Sequence, residues 1–107
     1  MASVLASITQ APYVLERERE LPDHEQTVFM LQPLDGLQYL DVMAGGFHNY
    51  RLALNLGLKG WSNYKDENKQ NVPFSIEAFN GMASEDLLEL SCEITDRTVL
   101  REAQKKT

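Results

Sequence analysis

Few residues in this chain have the chemistry to act as catalysts or ligands. They are the two histidines His24 and His48, the single cysteine Cys92, the acidic pair Asp66-Glu67, and the aromatic set Trp61, Tyr64 and Phe74. A histidine can carry a proton near neutral pH or bind a metal. A thiolate can attack an electrophile or ligate zinc, and neighbouring carboxylates can hold calcium. Trp and Tyr at a surface anchor protein partners, because a large rigid ring buries much area at small entropic cost.

The first three groups lack the company their chemistry needs. His24 sits in the turn Leu21-Pro22-Asp23-His24, where Pro fixes its own φ and Asp bonds nearby backbone. No spacing brings a second ligand to it, so it reads as a solvated turn residue. His48 falls where a helix cap or first turn is expected, which suits a surface or capping role better than a general base. Cys92 lies on the apolar stripe of the last helix, where Cys behaves as a small core hydrophobe. Its neighbours Glu89, Glu93 and Asp96 are acidic and oppose thiolate formation. Asp66-Glu67-Asn68 lacks the Gly and Glu spacing of an EF-hand and reads as a solvated turn. Gly45-Gly46, Gly57 and Gly60 fit neither phosphate-binding pattern and read as helix stops. No nucleophile stands near a base, so the chain reads as a non-enzyme with no catalytic residue, no cofactor and no metal.

The aromatic loop Leu58–Ser75 is the remaining candidate. Trp61, Tyr64 and Phe74 flank a polar turn between two helical segments. They either roof the core, each polar tip reaching a partner, or form a protein-binding surface. Trp61, Tyr64 and Phe74 are therefore the candidate partner-contact residues.

The elements around them follow from periodicity. Residues 12–18 read as a strand with Tyr13 and Leu15 on one face, followed by the charged run Glu16–Glu20. Residues 26–32 read as a second strand, with Thr27, Phe29 and Leu31 on one face and Val28 and Met30 on the other. A hairpin joins them, and helices must cover it, since two strands alone are marginal in water. After Pro33, Asp35 and Gln38 have capping-box spacing. The helix that follows places Leu37, Leu40 and Ala44 on one stripe, widened by Tyr39, Val42 and Met43, and stops at Gly45-Gly46. A second helix runs from about His48 to Leu56, with Leu52 and Leu56 on one stripe and Tyr50 and Leu54 beside it; Gly57 and Leu58 fit a Schellman ending. Ser75 caps a short helix carrying Ile76 and Phe79. Ser84 caps the last helix, where Leu87, Leu90, Ser91 and Ile94 lie together, with Leu88, Cys92, Thr95 and Val99 alongside. Glu93 and Arg97 form an i,i+4 pair. The expected fold is thus α+β: an N-terminal β-hairpin packed on a small bundle of about four helices. A mostly-α fold is the alternative if the hairpin is irregular.

Length and composition agree with this. The 107 residues make a single domain, 1–107, with frayed ends at 1–10 and 103–107. At 43% hydrophobic and 24% charged residues the chain has ordinary globular composition. Its net charge of −6, with no basic stretch, argues against nucleic acid and anionic membranes as partners. One cysteine excludes an internal disulfide and suits a reducing compartment. Met1–Thr9 is not a signal peptide, and no apolar run approaches a membrane span. The expectation is a soluble, intracellular protein.

Several motifs occur in a fixed order. Leu31-Gln32-Pro33-Leu34-Asp35-Gly36-Leu37-Gln38-Tyr39-Leu40 follows an apolar strand. Leu56-Gly57-Leu58-Lys59-Gly60-Trp61 closes a helix. A polar turn, Val72-Pro73-Phe74-Ser75 and the closing helix Ser84-Glu85-Asp86-Leu87-Leu88-Glu89-Leu90 come next. As an ordered set spanning about residues 25 to 95, these resemble the tail assembly chaperones of long-tailed bacteriophages. The C-terminal Gln104-Lys105-Lys106-Thr107 departs from the acidic, Asn-ending tails of that family. The resemblance implies a non-enzymatic protein that keeps the tape-measure protein soluble, recruits tail tube subunits and commonly forms homo-oligomers. It also implies action in the host cell cytoplasm and absence from the mature virion. Some family members also exist as a longer frameshift product.

Two further readings remain open from sequence. One is a small virion structural protein of the tail or head–tail connector. The other is an acidic inhibitor of a host defence enzyme that mimics nucleic acid; it ranks last because the acidic residues form no dense face.

Overall fold

Val28-Phe29-Met30-Leu31 alternates half-buried and buried side chains and forms the middle strand of a three-stranded antiparallel sheet. The computed structural model describes residues 9–44 and 49–105. Within them the chain runs through β1 (Ala11–Tyr13), β2 (Val28–Leu31), α1 (Gly36–Val42), α2 (Tyr50–Gly57), β3 (Leu58–Ser62) and α3 (Ser84–Lys105), with sheet order β1-β2-β3. The class is α+β: an N-terminal β-hairpin adjoining three α-helices. The short fourth helix expected after Ser75 is a 3-10 turn, Glu77–Gly81. Gly45-Gly46, His48 and the outermost terminal residues lie outside the described residues.

The first strand is shorter than the 12–18 read from sequence. It pairs Ala11 with Leu31 and Tyr13 with Phe29 and then stops. The charged run leaves the sheet because it finds better partners elsewhere. Glu16–Glu18 forms a 3-10 turn. The Glu18 carboxylate accepts the Thr27 N–H at 2.8 Å, Arg17 reaches Asp86, and the Glu16 N–H donates to Glu89. Leu15 is buried beneath this turn.

A strand replaces the Schellman ending expected after α2. Gly57 is the last residue of α2, and Leu58 takes an extended conformation, φ −88° and ψ 112°. The chain therefore enters β3 directly. Phe29 pairs with Trp61 and Met30 with Gly60, and one extra residue, Lys59, bulges before Leu31 meets Leu58. β3 is a third strand on the far edge of β2, where the sequence reads as loop. Gly57 is required by close approach: a Cβ there would lie 2.5 Å from Cγ2 of Ile94 in α3.

The capping box of α1 forms as read. Asp35 Oδ1 accepts the Gln38 N–H at 2.8 Å, and Gln38 Oε1 accepts the Asp35 N–H at 3.0 Å. The helix faces the other way, however. Leu37 is 76% and Leu40 65% exposed, Ala44 is exposed, and Val42 with half-buried Tyr39 meets the core. The cause lies one residue upstream of the cap. Leu34 is fully buried; its N–H donates to Thr98 Oγ1 at 2.9 Å and its carbonyl accepts from Arg101 Nη1 at 3.3 Å. Once α3 holds this segment, a helix of seven residues cannot turn Leu37 inward.

Helix α2 starts at Tyr50, capped by Asn49, whose side chain accepts the Leu52 N–H at 3.1 Å. Its buried face is Ala53, Leu54 and Gly57, with Leu52 and Leu56 half-buried at its margins, so the face is rotated from the expected Leu52/Leu56 stripe. In α3, Leu90, Ser91 and Ile94 are buried and Leu87 half-buried, as read. Leu88, Cys92 and Val99 are exposed. Ser84 is the first helical residue, and the preceding Ala83 supplies the capping carbonyl to the Leu87 N–H at 3.1 Å. The core thus lies between the sheet, α2 and the inner face of α3, with Leu15, Phe29, Leu31, Leu34, Leu58 and Ile94 at its centre. Each such side chain contributes roughly 1.5–3 kcal/mol of burial.

Candidate functional site

The polar turn after β3 is held by its own side chains. Asp66 Oδ1 accepts the N–H groups of Asn68 and Gln70 at 2.8 and 3.0 Å, and Lys65 bridges to Asn71. Asp66 is therefore a turn-closing carboxylate. Asn63 adopts a left-handed φ of 60° and donates to the His24 and Gln26 carbonyls. His24 sits on the exposed turn Asp23–Glu25.

This loop brings the three sequence-picked aromatics together. Trp61 packs against Phe74 with ring centroids 4.8 Å apart and against Tyr64 at 5.0 Å. Its indole N–H donates to the Val72 carbonyl at 2.8 Å, pinning the far arm of the loop. Beneath them the buried Phe29 ring meets Trp61 and Tyr64 edge-on, at 6.1 and 6.0 Å. Phe79 joins from the 3-10 turn, 6.0 Å from both Trp61 and Phe74. Such edge-on pairs add about 0.5–1.5 kcal/mol beyond area burial. Trp61 and Tyr64 are half-buried, whereas Phe74 is 38% exposed. Burial, then the Asp86 charge, pushes the Tyr64 hydroxyl pKa up.

An apolar concavity lies beside this cluster. A groove of about 830 Å³ runs between α2, the 3-10 turn and the start of α3. Its apolar walls are Tyr50, Leu54, Ile76, Phe79, Leu87 and Leu88, and its rim carries Arg51, Glu77 and Glu85. Ile76 is 59% and Leu88 47% exposed. Phe79 links the two features: one ring borders the groove and packs on Trp61. The groove is not visible in sequence because Tyr50, Ile76 and Leu88 fall on three separate helical segments, and no local pattern shows that these meet. The usable signal was an excess of apolar positions on the last helix, more than one face can bury.

A polar clamp fastens the N-terminal connection to α3. Tyr13 Oη donates to Glu89 Oε2 at 2.6 Å, and Arg17 grips Asp86 through Nε and Nη2 at 3.2 and 2.7 Å. Burial, the hydrogen bond to Glu89 and the charge of that carboxylate push the Tyr13 pKa well up. The hydrogen bond to Asp86 likewise raises that of Arg17. A polar recess of about 270 Å³ lies at this clamp, but its groups are engaged: Arg17 with Asp86, Glu18 with Thr27, and Thr27 Oγ1 with the Asn63 carbonyl.

Cys92 departs from its expected place in the core. It stands on the open side of α3, with its thiol pKa pushed up by partial burial and by Asp96. The described residues hold no group of three or more His, Cys, Asp or Glu side chains arranged to bind a metal ion. None of the described helices is long and apolar enough to cross a membrane. No family model matches the chain, and neither the curated proteins nor the solved structures contain a match.

Proposed function

We propose that this chain is a non-enzymatic assembly chaperone of the phage-tail kind that its motif order resembles. It binds apolar segments of a tape-measure protein and recruits tail tube subunits in the host cell cytoplasm. The observation that carries the docking role is the open apolar groove of Tyr50, Leu54, Ile76, Phe79, Leu87 and Leu88. A concave, mostly apolar surface with a few polar groups at its edge is the form a binding site takes. A long, apolar-patterned client needs such cover before it is packed away. The acidic surface, net −6, keeps the complex soluble and gives no foothold to nucleic acid.

The aromatic loop supports the groove. Trp61 and Tyr64 hold the loop down, and Phe79 transmits that order to the groove wall. Phe74, at the exposed edge of the cluster, extends the contact surface.

The test is co-purification of a tape-measure fragment with the wild-type chain and with Ile76→Asp and Leu88→Asp. Both positions are exposed, so the variants keep the wild-type circular dichroism and melting. Loss of the fragment is the expected result. Undiminished co-purification with both folded variants rules out the groove. Mass spectrometry of purified particles gives a second check, the chaperone role requiring that the chain be absent from them.

A further inference from the structure

Helix α3 carries a second apolar stripe outside the Leu90–Ile94 face that is buried in the core. Leu88, Cys92, Thr95 and Val99 follow one another at steps of four, three and four, the spacing of a helix–helix seam. Leu88 is 47% and Val99 49% exposed, and Cys92 is exposed. Thr95, between them, is half-buried, and its Oγ1 donates to the Ser91 carbonyl at 3.0 Å. Leu88 also lines the groove, so groove and stripe are continuous. From Leu88 to Val99 the stripe spans about 17 Å, roughly three turns of an opposing helix.

The charges beside this track have one dominant sign. Glu77 and Glu85 stand at the groove rim against the single Arg51, and Asp96 flanks the stripe. Arg97 is turned away, bonded to Glu93 and to the Ala11 and Pro12 carbonyls. We infer that the groove and the outer stripe of α3 together form a docking track for an amphipathic helix with an apolar seam flanked by Lys or Arg. A second copy of this chain fits poorly, because among the described residues the charges flanking the stripe itself, Glu85 and Asp96, are both acidic. Like-charge flanks select against such a pairing. The inference rests on the docking reading above and adds the chemistry and length of the occupant.

Cys92 is the only cysteine of the chain and lies mid-stripe, so it reports occupancy directly. Two synthetic helical peptides of about 18 residues share one Leu seam; one has Lys flanks, the other Glu flanks. Fluorescence anisotropy with the full chain should give at least about tenfold tighter binding of the Lys peptide, weakening with added salt. Saturating Lys peptide should slow alkylation of Cys92 by about tenfold or more, the extent set by the bound fraction. The variant Glu85→Lys with Asp96→Lys should reverse the preference. Equal binding of the two peptides overturns the inference, as does unchanged Cys92 reactivity with the Lys peptide bound. A stable dimer that Val99→Asp dissociates overturns it in favour of a second copy. If a tape-measure fragment binds through the groove without protecting Cys92, the track fails and the docking reading stands. If the Ile76 and Leu88 variants retain the fragment while the Lys peptide protects Cys92, the reverse holds.

Discussion

Gly57 and Ile94 touch without room for a side chain between them. A Cβ on Gly57 would sit 2.5 Å from Ile94 Cγ2 and 2.8 Å from Cδ1. This contact sets how closely α2 approaches α3, and with it one wall of the groove. Gly57→Ala gains up to about 1 kcal/mol of helix propensity, but overpacking costs about 1–3 kcal/mol. The crowded atoms belong to a fully buried side chain with little space to yield. We expect a net loss of about 1–2 kcal/mol, read as a lower urea midpoint at unchanged slope. A gain in stability would mean that α2 slides freely over α3.

The aromatic cluster divides into a structural and an accessible part. Trp61 touches Tyr64, Phe74, Phe79 and buried Phe29, and donates to Val72. Trp61→Ala should cost about 3 kcal/mol or more, and Trp61→Phe about 1 kcal/mol for the lost hydrogen bond plus some packing. Phe74→Ala, at a 38% exposed position, should cost less than Trp61→Ala by at least about 1 kcal/mol. Chemical denaturation of the three variants checks the order. Equal losses at 61 and 74 would make the whole loop a lid.

The facing of α1 can be checked by substitution. Leu37→Lys and Leu40→Lys, at 76% and 65% exposed positions, should each shift stability by no more than about 0.5 kcal/mol. Val42→Ala, at a fully buried position, should cost about 2 kcal/mol. Thermal melts distinguish this from the opposite facing, in which the leucine changes unfold the chain.

That helix also marks how far the sequence could be read. Local signals were legible: the Asp35–Gln38 capping box, the Ser75 Oγ cap of the Ala78 N–H at 3.1 Å, the Glu93–Arg97 pair at 2.7 Å and the Thr27, Phe29, Leu31 face all form. Each depends on residues close in the chain. What failed to show depends on distant partners. Leu34 rotates α1 through bonds to Thr98 and Arg101, more than 60 positions away. Gly57 reads as a helix stop because Ile94 is invisible locally, and β3 reads as loop because its pairing belongs to β2. The three aromatics stand out in sequence as partner-contact candidates and their rings pack together, but the groove beside them is built by three separate elements.

The clamp between Tyr13 and Glu89 should make the fold sensitive to alkali. The Tyr13 hydroxyl, ordinarily titrating at 10.0, is held protonated by burial and by donating to the Glu89 carboxylate at 2.6 Å. The folded state therefore keeps a proton that the unfolded chain releases above pH 10. By linkage, stability from this group is fully present below that pH and is lost as pH rises through the folded value. Tyr64, also shifted upward, adds to the slope in the same direction. Tyr13→Phe removes one donor to Glu89, which still accepts the Glu16 N–H at 2.9 Å, so the cost at pH 7 should be about 1 kcal/mol. Its urea midpoint should then fall less than that of the wild type between pH 9 and pH 11, because the remaining slope comes from Tyr64 and from Cys92, whose ordinary value of 9.0 is also raised. Parallel curves for the two proteins over that interval would show that the Tyr13 proton is not coupled to folding, and that the hydrogen bond to Glu89 does not hold the N-terminal connection on α3.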